Sequence, residues 1–180
     1  EAVPAEIHGA GKLALSHALV PSAVADRRAG NPLAIQPVFD LVADNDDLAG
    51  VEACIQAYLD GLYLGDTDLL FKTAFHPEAY MNCADLAGQR VHYSMADFED
   101  VVKGRGAPKD AGFPRKERIV SIDFAGPDTA NVKVEAQVGL RYYTDFLACI
   151  RVDGEWKIIA KTYCLTREYE TLDEVLADAE

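Results

Sequence analysis

Asp145 is the residue around which chemistry can be built. It lies in the run Tyr142-Tyr143-Thr144-Asp145-Phe146-Leu147-Ala148-Cys149-Ile150-Arg151-Val152. Asp153-Gly154 follows, and then Glu155-Trp156-Lys157-Ile158-Ile159-Ala160-Lys161-Thr162-Tyr163. Asp-Gly between two strand-like runs marks a type I′ hairpin, because that turn needs positive φ at both central residues. The turn sets Arg151 opposite Trp156, Cys149 opposite Ile158, Leu147 opposite Ala160 and Asp145 opposite Thr162. Paired residues share one face, which here is mostly apolar and turned inward. A carboxylate on such a face is desolvated, and its pKa rises toward a value useful to a general acid or base. Enolisation, dehydration and cyclisation all need such a group beside an apolar substrate. The competing reading is a structural carboxylate that accepts hydrogen bonds from Tyr58, Tyr63, Thr162 or backbone.

His76 is the second catalytic candidate, as a proton carrier at the end of a helix, where an imidazolium also interacts well with the helix dipole. Its competing role is as a capping or core histidine. His92 and Tyr93 are expected near a pocket mouth. Tyr58, Tyr63, Tyr80, Tyr143 and Tyr163 offer apolar rings with hydroxyl tips. Trp156 and Thr162 join these ligand-binding candidates from the inward face of the hairpin. In this register Lys161 and Tyr163 alternate away from Asp145. The four histidines and four cysteines show no close ligand spacing, so no metal site is expected, and the chemistry needs no cofactor. Residues 103–118 form a basic loop, with Lys103, Arg105, Lys109, Arg115, Lys116 and Arg118 against Asp110 and Glu117, which either closes over an anionic ligand group or is simply solvated.

The elements that must position these groups read in order. Asp46 or Asp47 caps a helix running to about Leu64, whose apolar stripe is Val51, Cys54, Ile55, Tyr58, Leu59, Leu62 and Tyr63. Gly61 interrupts that stripe, which suggests a close approach by another backbone segment. Gly65 ends the helix, Asp66 caps a second over Thr67 to Phe75, and His76-Pro77 stops it. Short strands are predicted at Ala79 to Cys83 and Arg90 to Tyr93. Ser94 and Asp97 form a capping box for a helix from Met95 to Lys103. Strands follow at Arg118 to Phe124, Ala130 to Leu140, Tyr143 to Val152 and Glu155 to Cys164. A turn over Gly139 to Tyr142 would set Val138 against Tyr143 and Ala136 against Asp145, which also turns Asp145 inward. Thr171 and Glu174 start a short acidic helix.

Composition bounds the function. The 180-residue chain carries a net charge of −13, which argues against nucleic acid and anionic membrane surfaces as partners. No apolar run approaches the roughly 20 residues of a membrane span. Residues 1–45 read as an arm punctuated by Pro4, Pro21, Pro32 and Pro37. Leu13 to Ala25 only faintly resembles a targeting core, so a cytoplasmic protein is expected, or an exported one if a signal peptide precedes Glu1. The cysteines read as buried free thiols.

The order of elements is α+β, with helices against one face of a bent sheet. It resembles the nuclear-transport-factor-2-like superfamily, which includes SnoaL-like cyclases, ketosteroid isomerase, scytalone dehydratase and limonene epoxide hydrolase. The phrases Tyr58-Leu59-Asp60-Gly61-Leu62-Tyr63 with Gly65-Asp66, Ala74-Phe75-His76-Pro77, Thr144-Asp145-Phe146-Leu147, and Gly154-Glu155-Trp156-Lys157-Ile158 with Lys161 are similar to its putative lumazine-binding branch. The resemblance covers residues 46–166 and leaves residues 167–180 as an acidic tail helix. It implies a cone-shaped, bent antiparallel sheet with three helices on its concave face, a pocket between them, and a homodimer. The function expected is that of a small-molecule pocket protein, either a cofactor-independent lyase or isomerase using Asp145 as acid/base, a non-catalytic binder of a small apolar or aromatic ligand, or a dimeric interaction module.

Overall fold

The computed structural model describes residues 45–85 and 87–178, so the predicted arm lies outside the described residues. Helix α1 spans Asn45–Leu64, with Asp46 and Asp47 in its first turn, where they oppose the positive end of the helix dipole. Val51, Cys54, Ile55, Tyr58, Leu59 and Leu62 are its buried face, while Tyr63 is half-buried. Gly65 takes φ +65° and ends the helix. The Asp66 carboxylate then accepts from the backbone of Asp68 at 2.9 Å and Leu69 at 3.1 Å, capping the next turn as its sequence position suggests.

The second helix differs from expectation. It becomes a π-helix over Leu69–Ala74, and the chain is already extended at Phe75. His76-Pro77 therefore lies inside strand β1 (Phe75–Ala84) rather than at a helix end. Phe75 pairs with Ile158, the ladder is interrupted, and pairing resumes at Tyr80 with Ala160. The interruption spans Pro77, which has no N–H to give to a ladder.

Strand β2 (Arg90–Ser94) leads into α2 (Met95–Arg105), whose capping box is formed as predicted. Strands β3 (Glu117–Gly126), β4 (Thr129–Val138), β5 (Arg141–Val152) and β6 (Glu155–Glu168) follow, and α3 spans Leu172–Ala177. The six strands form one curved sheet in the order β2-β1-β6-β5-β4-β3. Its β1–β6 pairing is parallel, so the sheet is mixed where an antiparallel one was expected. Ala130, Val132, Val134 and Ala136 are buried on β4, the alternation visible in the sequence. No helix among the described residues is long and apolar enough to cross a membrane.

Gly61 sits against the π-helix. A Cβ built there would lie 2.6 Å from Leu70 Cγ and 3.1 Å from the Asp66 carbonyl oxygen. The close neighbour is thus a side chain with one carbonyl, rather than a backbone segment alone. Gly61→Ala gains about 1 kcal/mol of helix propensity. Overpacking costs about 1–3 kcal/mol. We expect a net loss near 1 kcal/mol in urea unfolding, relieved by pairing the change with Leu70→Val.

Candidate functional site

Two hairpins and a bulge bring the site together. Asp153 (φ +51°) and Gly154 (φ +84°) form the predicted turn, with Arg151 opposite Trp156 and Cys149 opposite Ile158. The register then shifts. Ala148 pairs with Ala160, so Ile159 is an extra residue on β6. Beyond it Leu147 faces Lys161 and Asp145 faces Tyr163, instead of Ala160 and Thr162. One inserted residue exchanges the faces of everything that follows it on its strand. Lys161 is buried as a result, and Thr162 is exposed.

The β4–β5 turn is also tighter than predicted. Gly139 at φ +64° allows a two-residue turn, and Val138 pairs with Arg141. Ala136 meets Tyr143 and Val134 meets Asp145. The shift is two residues, so parity is unchanged and Asp145 still points inward.

Asp145 is 1% exposed. Its Oδ2 accepts from Tyr58 Oη at 2.7 Å and from Lys161 Nζ at 2.9 Å, and Lys161 Nζ also lies 2.5 Å from Tyr58 Oη. The ammonium sits about 5 Å from the ring centroids of both Tyr58 and Tyr163. Asp145 Oδ1 is buried and has no hydrogen-bond partner among the described residues. Burial pushes the Lys161 pKa down, and the Asp145 charge works against that shift. Burial, then the charge and hydrogen bond of Asp145, hold the Tyr58 phenol well above its ordinary range.

Asp145 and Lys161 line a cavity of about 190 Å³, walled by Leu62, Met81, Phe98, Ala136 and Val138 and by the rings of Tyr93, Tyr143 and Tyr163. An apolar cavity of about 150 Å³ holds a benzene ring, so this one accommodates a single ring with substituents. Arg105 and Arg141 stand where it meets a second cavity of about 470 Å³ under the 106–113 loop.

Of the residues singled out from the sequence, Asp145, Tyr58, Tyr93 and Tyr143 come together here, Tyr58 through its bond to Asp145. Several others lie elsewhere. Trp156 is buried against Phe124 and Gly50. Tyr63 packs under Arg115, and its hydroxyl reaches the Phe113 carbonyl. Tyr80 is 48% exposed and faces His92, which bonds Asn82. His76 Nδ1 accepts from the Glu78 backbone on β1, away from the cavity, so a proton-carrying role beside Asp145 has no geometric basis. Lys161 is the site residue that the sequence register turns away from Asp145, while Tyr163 is one of the expected pocket tyrosines and Arg105 comes from the predicted basic loop. No group of three or more His, Cys, Asp or Glu side chains among the described residues could hold a metal ion.

A curved sheet with helices on one face and a cavity between them is the plan of nuclear-transport-factor-2-like domains. Such a protein from Shewanella baltica, of unknown function, matches at 20% identity over 68% of this chain and 96% of its own, with a TM-score of 0.62. One from Silicibacter pomeroyi, also of unknown function, matches at 23% identity over 67% and 96%, with a TM-score of 0.59. A ketosteroid isomerase-like protein from Erwinia carotovora atroseptica matches at 15% identity over 69% and 99%, with a TM-score of 0.53. These likenesses carry the fold. No curated protein matches. Residues 46–164 match the putative lumazine-binding family, and the chain belongs to it.

Proposed function

We propose that the domain binds a small, largely apolar molecule in the cavity beside Asp145 and moves a proton on it without a cofactor, as an isomerase or lyase. The observation that carries this reading is Asp145 Oδ1, a buried carboxylate oxygen of a cavity-lining residue with no hydrogen-bond partner among the described residues. Leaving such an acceptor empty costs about 1–3 kcal/mol. A ligand hydroxyl or acidic C–H would occupy it. An ammonium has three donors, and two of Lys161's are used by Asp145 and Tyr58. The third is available to an oxygen on which negative charge develops as Asp145 takes the proton. An enolisable carbonyl compound needs that pairing of base and cation.

One observation favours a second reading, a non-catalytic binder. Oδ2 of Asp145 is already saturated by protein donors, which holds the carboxylate as a fixed anchor. The open cavity speaks against a pocket closed by its own side chains, and so against a purely structural interaction module.

Deuterium exchange into the CH₂ of phenylacetone, followed by NMR in D₂O, separates these readings. We expect the wild type to accelerate exchange. We also expect Asp145→Asn/Lys161→Met, which keeps the core neutral, to lose at least about 100-fold of that rate, a typical share for one general base. Wild type that binds phenylacetone without exchanging it is a binder.

A further inference from the structure

The charges lining the two adjoining cavities do not balance. Arg105, Arg141 and Lys161 face Asp145 and Glu168. Lys161 is paired with Asp145 at 2.9 Å, and Arg141 with Glu168 at 2.8 Å. Arg105 is left over. Its one hydrogen bond to a described residue goes to the Leu62 carbonyl at 3.2 Å, and it forms no ion pair among the described residues. Of the rest of the basic run, only Lys109 also forms no ion pair among the described residues, and it does not line either cavity. Lys103 pairs with Glu99, Arg115 with Asp60 and Glu117, Lys116 with Asp178, and Arg118 with Glu135. Arg105 is therefore an unneutralised guanidinium at the junction of the cavities, on a chain whose net charge is −13. Arg105 is exposed as a residue, and the partial burial of its guanidinium lowers its pKa.

A cavity lined by a guanidinium without a counter-charge and by a carboxylate oxygen without a partner, both among the described residues, defines a ligand by two groups. We infer that the cavity takes a small organic acid whose carboxylate pairs with Arg105, whose single ring or branched chain fills the space between Leu62, Met81 and Phe98, and whose polar or acidic C–H group meets Asp145. This rests on the pocket reading above and adds the class of ligand. A guanidinium suits a carboxylate because its paired N–H groups match the two oxygens. The arrangement also sets orientation. Lys161 is already neutralised by Asp145 and Arg105 has no such partner among the described residues, so the ligand's anion is drawn toward the junction.

Ligand-observed fluorine NMR with 4-fluorophenylacetate, its primary amide and its methyl ester tests this on the full chain. The three share a ring and differ in charge. We expect the acid to bind at least tenfold tighter than the amide or ester. We expect Arg105→Gln to bring the affinities for acid and amide to within about twofold of each other, and Arg105→Lys to retain part of the preference. Equal binding of acid and amide to the wild type would overturn the anion inference and leave the pocket reading standing. An unchanged preference in Arg105→Gln would overturn the role of Arg105. Absence of binding by all three at millimolar concentration would overturn the pocket reading together with the inference.

Discussion

Asp145→Asn loses about 3–5 kcal/mol of stability at pH 7, because breaking a buried pair leaves the other charge uncompensated. Lys161 is 6% exposed and has no other carboxylate within ion-pair distance among the described residues. Asp145→Asn/Lys161→Met recovers most of the loss, since an apolar replacement of a buried pair is often neutral or stabilising. Denaturant unfolding of both variants against wild type checks this. A double variant no better than the single one would mean that Tyr58, rather than Lys161, carries the penalty. The pH dependence has a defined sign. The Lys161 pKa lies below its ordinary 10.5, so between the two values the unfolded chain binds the extra proton and stability rises with pH. Without the Asp145 charge the window widens downward, and Asp145→Asn sits closer to wild type at pH 9.5 than at pH 7. Tyr58 acts in the opposite direction. Its raised pKa contributes stability that is complete below pH 10 and lost as the pH climbs through the folded value. A large loss in the single variant therefore measures a stranded ammonium and does not by itself argue against catalysis by Asp145.

Phe75→Ala costs about 3–5 kcal/mol, the usual range for deleting a buried aromatic ring. Phe75 is 1% exposed and touches three other rings. It meets Tyr58 edge-on at 5.6 Å, Phe71 at 6.3 Å and Phe98 at 6.1 Å. Its loss also frees the Tyr58 ring, whose hydroxyl must stay 2.7 Å from Asp145. Thermal unfolding gives the stability loss. Ultraviolet titration gives the second signature, with the Tyr58 phenol ionising at lower pH than in wild type as water enters. Phe75→Leu, which keeps most of the volume, should cost less and leave the titration in place. Equal losses from both substitutions would mean that the aromatic edge, rather than filled volume, is the dominant contribution.

The inward position of Asp145 was legible because two hairpin turns impose parity independently. The β4–β5 turn proved two residues tighter than predicted, and an error of two leaves every side chain on its own face. The capping box at Ser94, the cap at Asp66 and the type I′ turn at Asp153-Gly154 were equally readable, since each depends on residues within a few positions of one another. Two of the family phrases include such local signals, the Asp66 cap and Gly154 of the turn. The partner of Asp145 was not legible. Lys161 reaches it because Ile159 bulges out of β6, and an odd insertion reverses the faces beyond it. Nothing in Lys157-Ile158-Ile159-Ala160-Lys161 marks which residue is extra. The choice is made by the sum of side chains that β5 on one edge and the parallel β1 on the other can bury. Arg105 was visible as one basic residue among six. Only the folded chain, by pairing four of the other five and leaving Arg105 at the cavity junction, distinguished it from the rest.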